Sequence, residues 1–175
     1  MPEEPQLFHA RGVRILQAGE TLKYKEMYVQ PGYLFRRAHQ LATAAFNVVT
    51  RDYDITPVQM ASLVSIKDNA GIDATRLSEI IRFDRTTIGH VIGRLEQKGL
   101  IKRAEGSVDK RTKTLHITKK GAQLVDSLSD MTPEISDVIL APLTESERAE
   151  LLKILQKLDK YASSTSQLAS LKTKD

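Results

Sequence analysis

Apolar residues recur with two periods along the chain, and the changes between them mark its elements. Tyr33 to Thr50 holds no Gly or Pro and repeats Leu34, Ala38, Leu41, Ala45 and Val48 at helical spacing, which predicts a helix. "ITPVQMASLVSIKDNAG" predicts a second, with Thr56 as N-cap, Pro57 at the first helical position and Asn69-Ala70-Gly71 as its end. "DATRLSEII" predicts a short third helix with Leu77, Ile80 and Ile81 apolar. Asp84 is expected to cap a fourth, "RTTIGHVIGRLEQKG", which Gly99 closes. Its Ile88, Val91, Ile92 and Leu95 fall at i, i+3, i+4 and i+7 and make one buried stripe.

The period then shortens. Leu100–Glu105 and Thr114–Thr118 read as the strands of a hairpin. Helical spacing returns from Lys119 to about Leu140, where Thr132-Pro133 is expected to kink or restart the helix. A last helix runs from Glu145 to about Tyr161, opened by the capping box Thr144–Glu147 with Leu143 as its hydrophobic staple. It places Leu151, Leu152, Leu155 and Leu158 on one stripe. Residues 1–32, with Pro2, Pro5, Gly12, Gly19, Pro31 and Gly32, read as an N-terminal arm, and 166–175 as a flexible tail. Two short helices, a turn, a helix with one apolar stripe and a hairpin follow the order of a winged helix-turn-helix. The predicted fold class is mainly α with a small β wing.

Charge sharpens the picture. The net charge of the 175 residues is +4, but Arg76–Lys120 holds 12 Lys or Arg against 5 Asp or Glu, leaving 14 against 17 elsewhere. Such a split points to a segment built to meet a polyanion, although an ordinary solvated basic face has the same composition. On a helical wheel, the face of the fourth helix opposite its apolar stripe carries Thr86, Gly89, His90, Gly93, Arg94 and Gln97, small or hydrogen-bonding groups able to read a groove. Two glycines there cost about 1 kcal/mol each relative to alanine, which close approach of a partner offsets; close packing within the protein is the competing explanation. Arg85 and Thr87 flank the same face. At the hairpin tip Lys110, Arg111 and Lys113 are expected to reach phosphates or the minor groove. Asp109, two residues from Arg111, is either the orienting partner of its guanidinium or a turn-forming residue.

Other chemistries find little support. The chain has 0 Cys, so it has no disulfide framework and no thiolate site, and His9, His39, His90 and His116 show no metal-ligand spacing. No phosphate loop or nucleophile elbow stands out, and neither a catalytic role nor a cofactor is expected. No apolar run is long enough to span a bilayer and Met-Pro-Glu-Glu-Pro is unlike a secretory signal, so the expected setting is the cytoplasm, without a membrane partner. A winged-helix module that binds protein rather than DNA is the alternative class.

The stretch "DATRLSEIIRFDRTTIGHVIGRLEQKGLIKR", the wing "DKR" at 109–111 and "LHITKKG" at 115–121 resemble the MarR family of bacterial transcription regulators. The resemblance runs from about Tyr33 to Tyr161 and implies a homodimer binding a near-palindromic double-stranded DNA operator, usually as a repressor. It implies a helical dimerisation region from 33–55 and 119–165 and a winged helix-turn-helix from 56–118. It also implies a small-molecule pocket between the two, where Arg36, Arg37, His39, Phe46, Thr50, Arg51 and Met60 are the candidate effector-binding residues. An Arg or His beside an aromatic ring suits a small aromatic carboxylate. "YLFRRAHQLATAAF", "ITPVQMASLVSI" and "GIDATRLSEIIRFDRTTIG" further resemble the branch with repressors of nicotinate degradation, which implies a hydroxylated nicotinate such as 6-hydroxynicotinate as effector.

Overall fold

A short 3-10 turn, Tyr24–Val29, leads into α1 (Pro31–Val49) in the computed structural model, which describes residues 24–105 and 112–163. α1 starts at Pro31 rather than Tyr33, because a proline in the first turn needs no N–H and already has helical φ. α2 (Pro57–Asp68) opens with a reciprocal cap: Thr56 Oγ1 accepts from the Gln59 N–H at 3.3 Å, and Gln59 Oε1 accepts from the Thr56 N–H at 3.2 Å. Gly71, at φ 85°, turns the chain into β1 (Ile72–Asp73), and the Asp73 carboxylate caps α3 (Ala74–Ile81) through the Arg76 N–H at 2.9 Å. Next come α4 (Arg85–Gln97), β2 (Ile101–Glu105), β3 (Lys113–Ile117), α5 (Lys119–Asp130), α6 (Thr132–Leu140) and α7 (Glu145–Ser163).

The strands form one antiparallel sheet in the order β1-β3-β2, with Ile101 opposite Ile117 and Glu105 opposite Lys113. β1 was not expected. Two residues show no alternation, and only pairing of Ile72 with Leu115 and of Asp73 with Thr114 makes them a strand. The Thr132-Pro133 break restarts the helix: α5 stops at Asp130, and Pro133 occupies the first turn of α6. α7 has the expected cap, with Thr144 N–H donating to Glu147 Oε2 at 2.8 Å.

The core lies in the winged helix-turn-helix together with α5, which packs on it. Leu63 and Ile66 of α2, Leu77 of α3, Ile88 and Leu95 of α4, Leu115 of β3 and Leu128 of α5 are fully buried there. On α3, Ser78 is buried, whereas Ile80 is 39% exposed. The "LHITKKG" signature locks the hairpin to α5. Thr118 caps α5 by accepting from the Gly121 N–H at 3.1 Å, and its hydroxyl donates to the Gly99 and Leu100 carbonyls at 2.8 and 3.1 Å. Gly121 lets the first turn of α5 press on that strand: a Cβ there would lie 2.1 Å from the Leu100 carbonyl oxygen.

Outside this core, α1, α6 and α7 leave apolar surface uncovered. Of the α1 stripe only Ala45 is buried, while Leu34, Leu41 and Val48 are exposed, as are Leu152, Leu155 and Leu158 of α7. Among the described residues, no helix is long and apolar enough to cross a membrane.

Candidate nucleic-acid interface

α4 is positioned from both sides. Its apolar stripe, Ile88, Val91, Ile92 and Leu95, is buried as periodicity predicts. At its start Asp84 accepts from Thr87 twice, from the N–H at 2.9 Å and the hydroxyl at 2.6 Å. The hydroxyl bond, followed by the backbone one, holds the Asp84 carboxyl below its ordinary pKa. Thr87, a candidate DNA contact, is therefore engaged in the cap.

The opposite face is open. Thr86, His90, Arg94 and Gln97 are exposed along with Arg85 and Gly89, and Gly93 is half-buried. A Cβ built on Gly89 or Gly93 meets nothing within 4 Å, so packing within the chain does not require either glycine. His90, Arg94 and Thr87 line a shallow groove with Thr56, Val58 and Gln59 from the first turn of α2. That Thr56, Val58 and Gln59 face α4 was not legible in the sequence. Their only signal was the proline-started cap, which locates a helix start but not what it faces.

The wing base is braced by charge. Arg103 of β2 pairs with Glu96 of α4 at 3.0 Å, and Lys113 meets Glu105 across the hairpin at 3.4 Å. Lys113 thus has an acidic neighbour at the site where a phosphate contact was expected. Asp109, Lys110 and Arg111 lie outside the described residues.

The seven effector candidates fall in different surroundings. His39 lines an apolar groove of ≈ 700 Å³ between α1, α6 and α7, beside Phe35, Ser136 and Leu155. Phe46, two helical turns from His39 on the same stripe of α1, packs against the winged-helix core, as does Met60. Thr50 is buried, and its hydroxyl donates to the Phe46 carbonyl at 2.8 Å. Arg36 stacks over the Tyr33 ring at 4.9 Å, Arg37 is exposed, and Arg51 lies 3.8 Å from Asp52. Among the described residues, no group of three or more His, Asp or Glu is placed to hold a metal ion.

The MarR family profile matches residues 55–113, which span α2, α3, α4 and the start of β3. An uncharacterised HTH-type transcriptional regulator, YybA of Bacillus subtilis, is 32% identical over 114 residues, 65% of this chain and 76% of its own length. The HTH-type transcriptional repressor NicR of Pseudomonas putida is 28% identical over 129 residues, 74% of this chain and 82% of its own. Among solved structures, BpsR of Bordetella bronchiseptica, whose DNA binding is regulated by 6-hydroxynicotinic acid, shares the fold with a TM-score of 0.71. That comparison covers 80% of this chain and 98% of BpsR at 24% identity. With an open helix face beside a hairpin wing, and relatives that are transcription regulators, this chain belongs to the MarR family of winged-helix transcription regulators.

Proposed function

We propose that the protein is a ligand-responsive repressor that binds a near-palindromic DNA operator as a homodimer and is released by a small aromatic carboxylate. The observation that carries the DNA reading is the outward face of α4, where a Cβ on Gly89 or Gly93, each next to His90 or Arg94, would meet nothing within 4 Å. A glycine pair that no internal contact explains fits a helix whose backbone approaches a groove wall. In this reading residues 56–118 bind DNA, with Arg85, Thr86, His90 and Arg94 at the bases and backbone and the wing residues Lys110, Arg111 and Lys113 on phosphates. Residues 33–55 and 119–165 form the dimerisation region, which accounts for the exposed Leu34, Leu41, Val48, Leu155 and Leu158.

The effector is proposed to bind along α1, where it passes from the apolar groove to the winged helix. His39 and Ser136 are the polar side chains set in an otherwise apolar wall, and Arg36 and Arg37 lie within one turn of His39. A hydroxylated nicotinate is the first candidate, from the resemblance of the α1 to α3 stretch to repressors of nicotinate degradation. A ligand acts only through unequal affinity for two arrangements of the winged helices; ten-fold release needs about 1.4 kcal/mol of coupling.

The test enriches binding sites from a randomised duplex library and follows binding by anisotropy over a salt series, with and without 6-hydroxynicotinate. The expected result is a steep loss of affinity with salt and weaker binding in the presence of the acid, with His39→Ala blunting the second effect. Reciprocity requires that operator weaken the acid by the same factor. No enriched DNA would leave the protein-binding module as the reading, and an acid that binds without regard to DNA would remove it as effector.

A further inference from the structure

Two non-glycine residues among those described adopt left-handed backbone, Arg82 at φ 56° and Asp54 at φ 46°. Each is half of an ion pair, and the two pairs bracket α4. Arg82 ends α3 and lies in the turn before α4; its guanidinium meets the Asp159 carboxylate of α7 at 3.1 Å and the Asp159 backbone carbonyl at 3.4 Å. Asp54 lies between α1 and α2, and its carboxylate meets Lys98 at the end of α4 at 3.0 Å.

The left-handed end of α3 is where glycine is the usual choice, because any Cβ there carries a steric cost. A glycine would serve the backbone of residue 82 better, but it would have no side chain to reach Asp159. α7 is anchored at its other end, where Arg148 meets Asp137 of α6 at 3.3 Å. Eleven residues of helical rise, about 16 Å, separate that anchor from Asp159. The Arg82 tie thus fixes the far end of a lever against the turn that carries the recognition helix.

We propose that Arg82 and Asp159 are positioning residues for operator recognition: together with Lys98 and Asp54 they hold α4 at one angle to the helices flanking the winged domain, and so set which half-site spacing the protein accepts. The proposal rests on the reading of the protein as an operator-binding dimer. It assigns the pair no contact with DNA. A symmetric dimer contains the tie twice, so a solvent-accessible pair that contributes about three-fold per subunit changes spacing selectivity by about ten-fold.

The experiment takes inverted-repeat sites that the wild-type protein enriches from a randomised duplex library and resynthesises them with one base pair inserted or removed at the centre. Binding is measured for wild type, Arg82→Gly, Asp159→Ala and the exchanged pair Arg82→Asp with Asp159→Arg. Arg82→Gly suits its backbone position, so loss of folding does not confound it. The expected result is near-parental affinity for the original spacing, with discrimination against altered spacings reduced about ten-fold in both single variants and partly restored in the exchange. Unchanged discrimination in the single variants overturns the proposal. Uniform weakening on every site with a smaller salt slope also overturns it, because Arg82 would then be a phosphate contact. If the wild type enriches no inverted repeat, the dimeric-operator reading fails and takes this inference with it.

Discussion

Gly121 shows how a motif position acquires a physical reason. With the Leu100 carbonyl oxygen 2.1 Å from where a Cβ would sit, Gly121→Ala has to push α5 off the hairpin. The expected cost is about 1–3 kcal/mol in denaturant unfolding, and parental stability would show that α5 shifts without penalty. Asp84 makes a second residue-scale case. Its carboxyl titrates below the ordinary range because Thr87 donates to it through hydroxyl and N–H, so the folded state favours the ionised form. The stabilisation is therefore complete above the unfolded aspartate pKa and disappears as pH falls through the lower folded value. Asp84→Asn keeps a cap acceptor but no longer titrates, so its thermal midpoint should fall less steeply than the parent's as pH drops below the ordinary aspartate range. Superimposable acid limbs would mean that the Asp84 cap does not couple protonation to folding.

Among the elements, α4 was the most legible from sequence. Its four buried positions, its Asp84 cap and its Gly99 end follow from period and capping chemistry, each a local property. β1 was not legible, because a two-residue strand is defined by its partner β3 and not by its own pattern. The same reasoning explains the groove beside His90. Thr56 is recognisable as a cap, whereas its position against α4 depends on how two helices cross. Of the effector candidates, the sequence could place His39 and Phe46 on one stripe of α1, but it could not show that Thr50 is engaged by its own helix. If α4 reads bases, His90→Ala and Arg94→Ala should each cost about 1–3 kcal/mol on enriched sites and relax base preference, as measured by anisotropy against point-substituted duplexes. Unaltered selectivity in both would assign the readout to another element.

At the scale of the whole molecule, the winged domain and α5 share a closed core, whereas α1, α6 and α7 leave apolar surface open. Leu34, Leu41 and Val48 recur every seventh residue along α1, each more than 40% exposed, and α7 adds Leu152, Leu155 and Leu158. That much apolar helix surface calls for a cover, and the proposed isologous dimer would supply one by pairing the region with itself. Light scattering at micromolar concentration should give the mass of two chains. Leu155→Glu should shift it toward one chain and weaken operator binding, since two recognition helices about 34 Å apart are what a near-palindrome selects. A parental monomer with full operator affinity would exclude this assembly.

The empty space above Gly89 and Gly93 has a consequence for anyone who breeds this protein for robustness. Alanine at either position fits the fold without a clash and improves helix propensity by about 1 kcal/mol. A heat-resistance screen run without DNA should therefore enrich Gly89→Ala and Gly93→Ala early. If the face is the operator surface, the survivors would be hardier and poorer at silencing their promoter, visible as a raised melting midpoint beside a lowered operator affinity. Survivors with both properties improved would show that the helix never comes that close to its target.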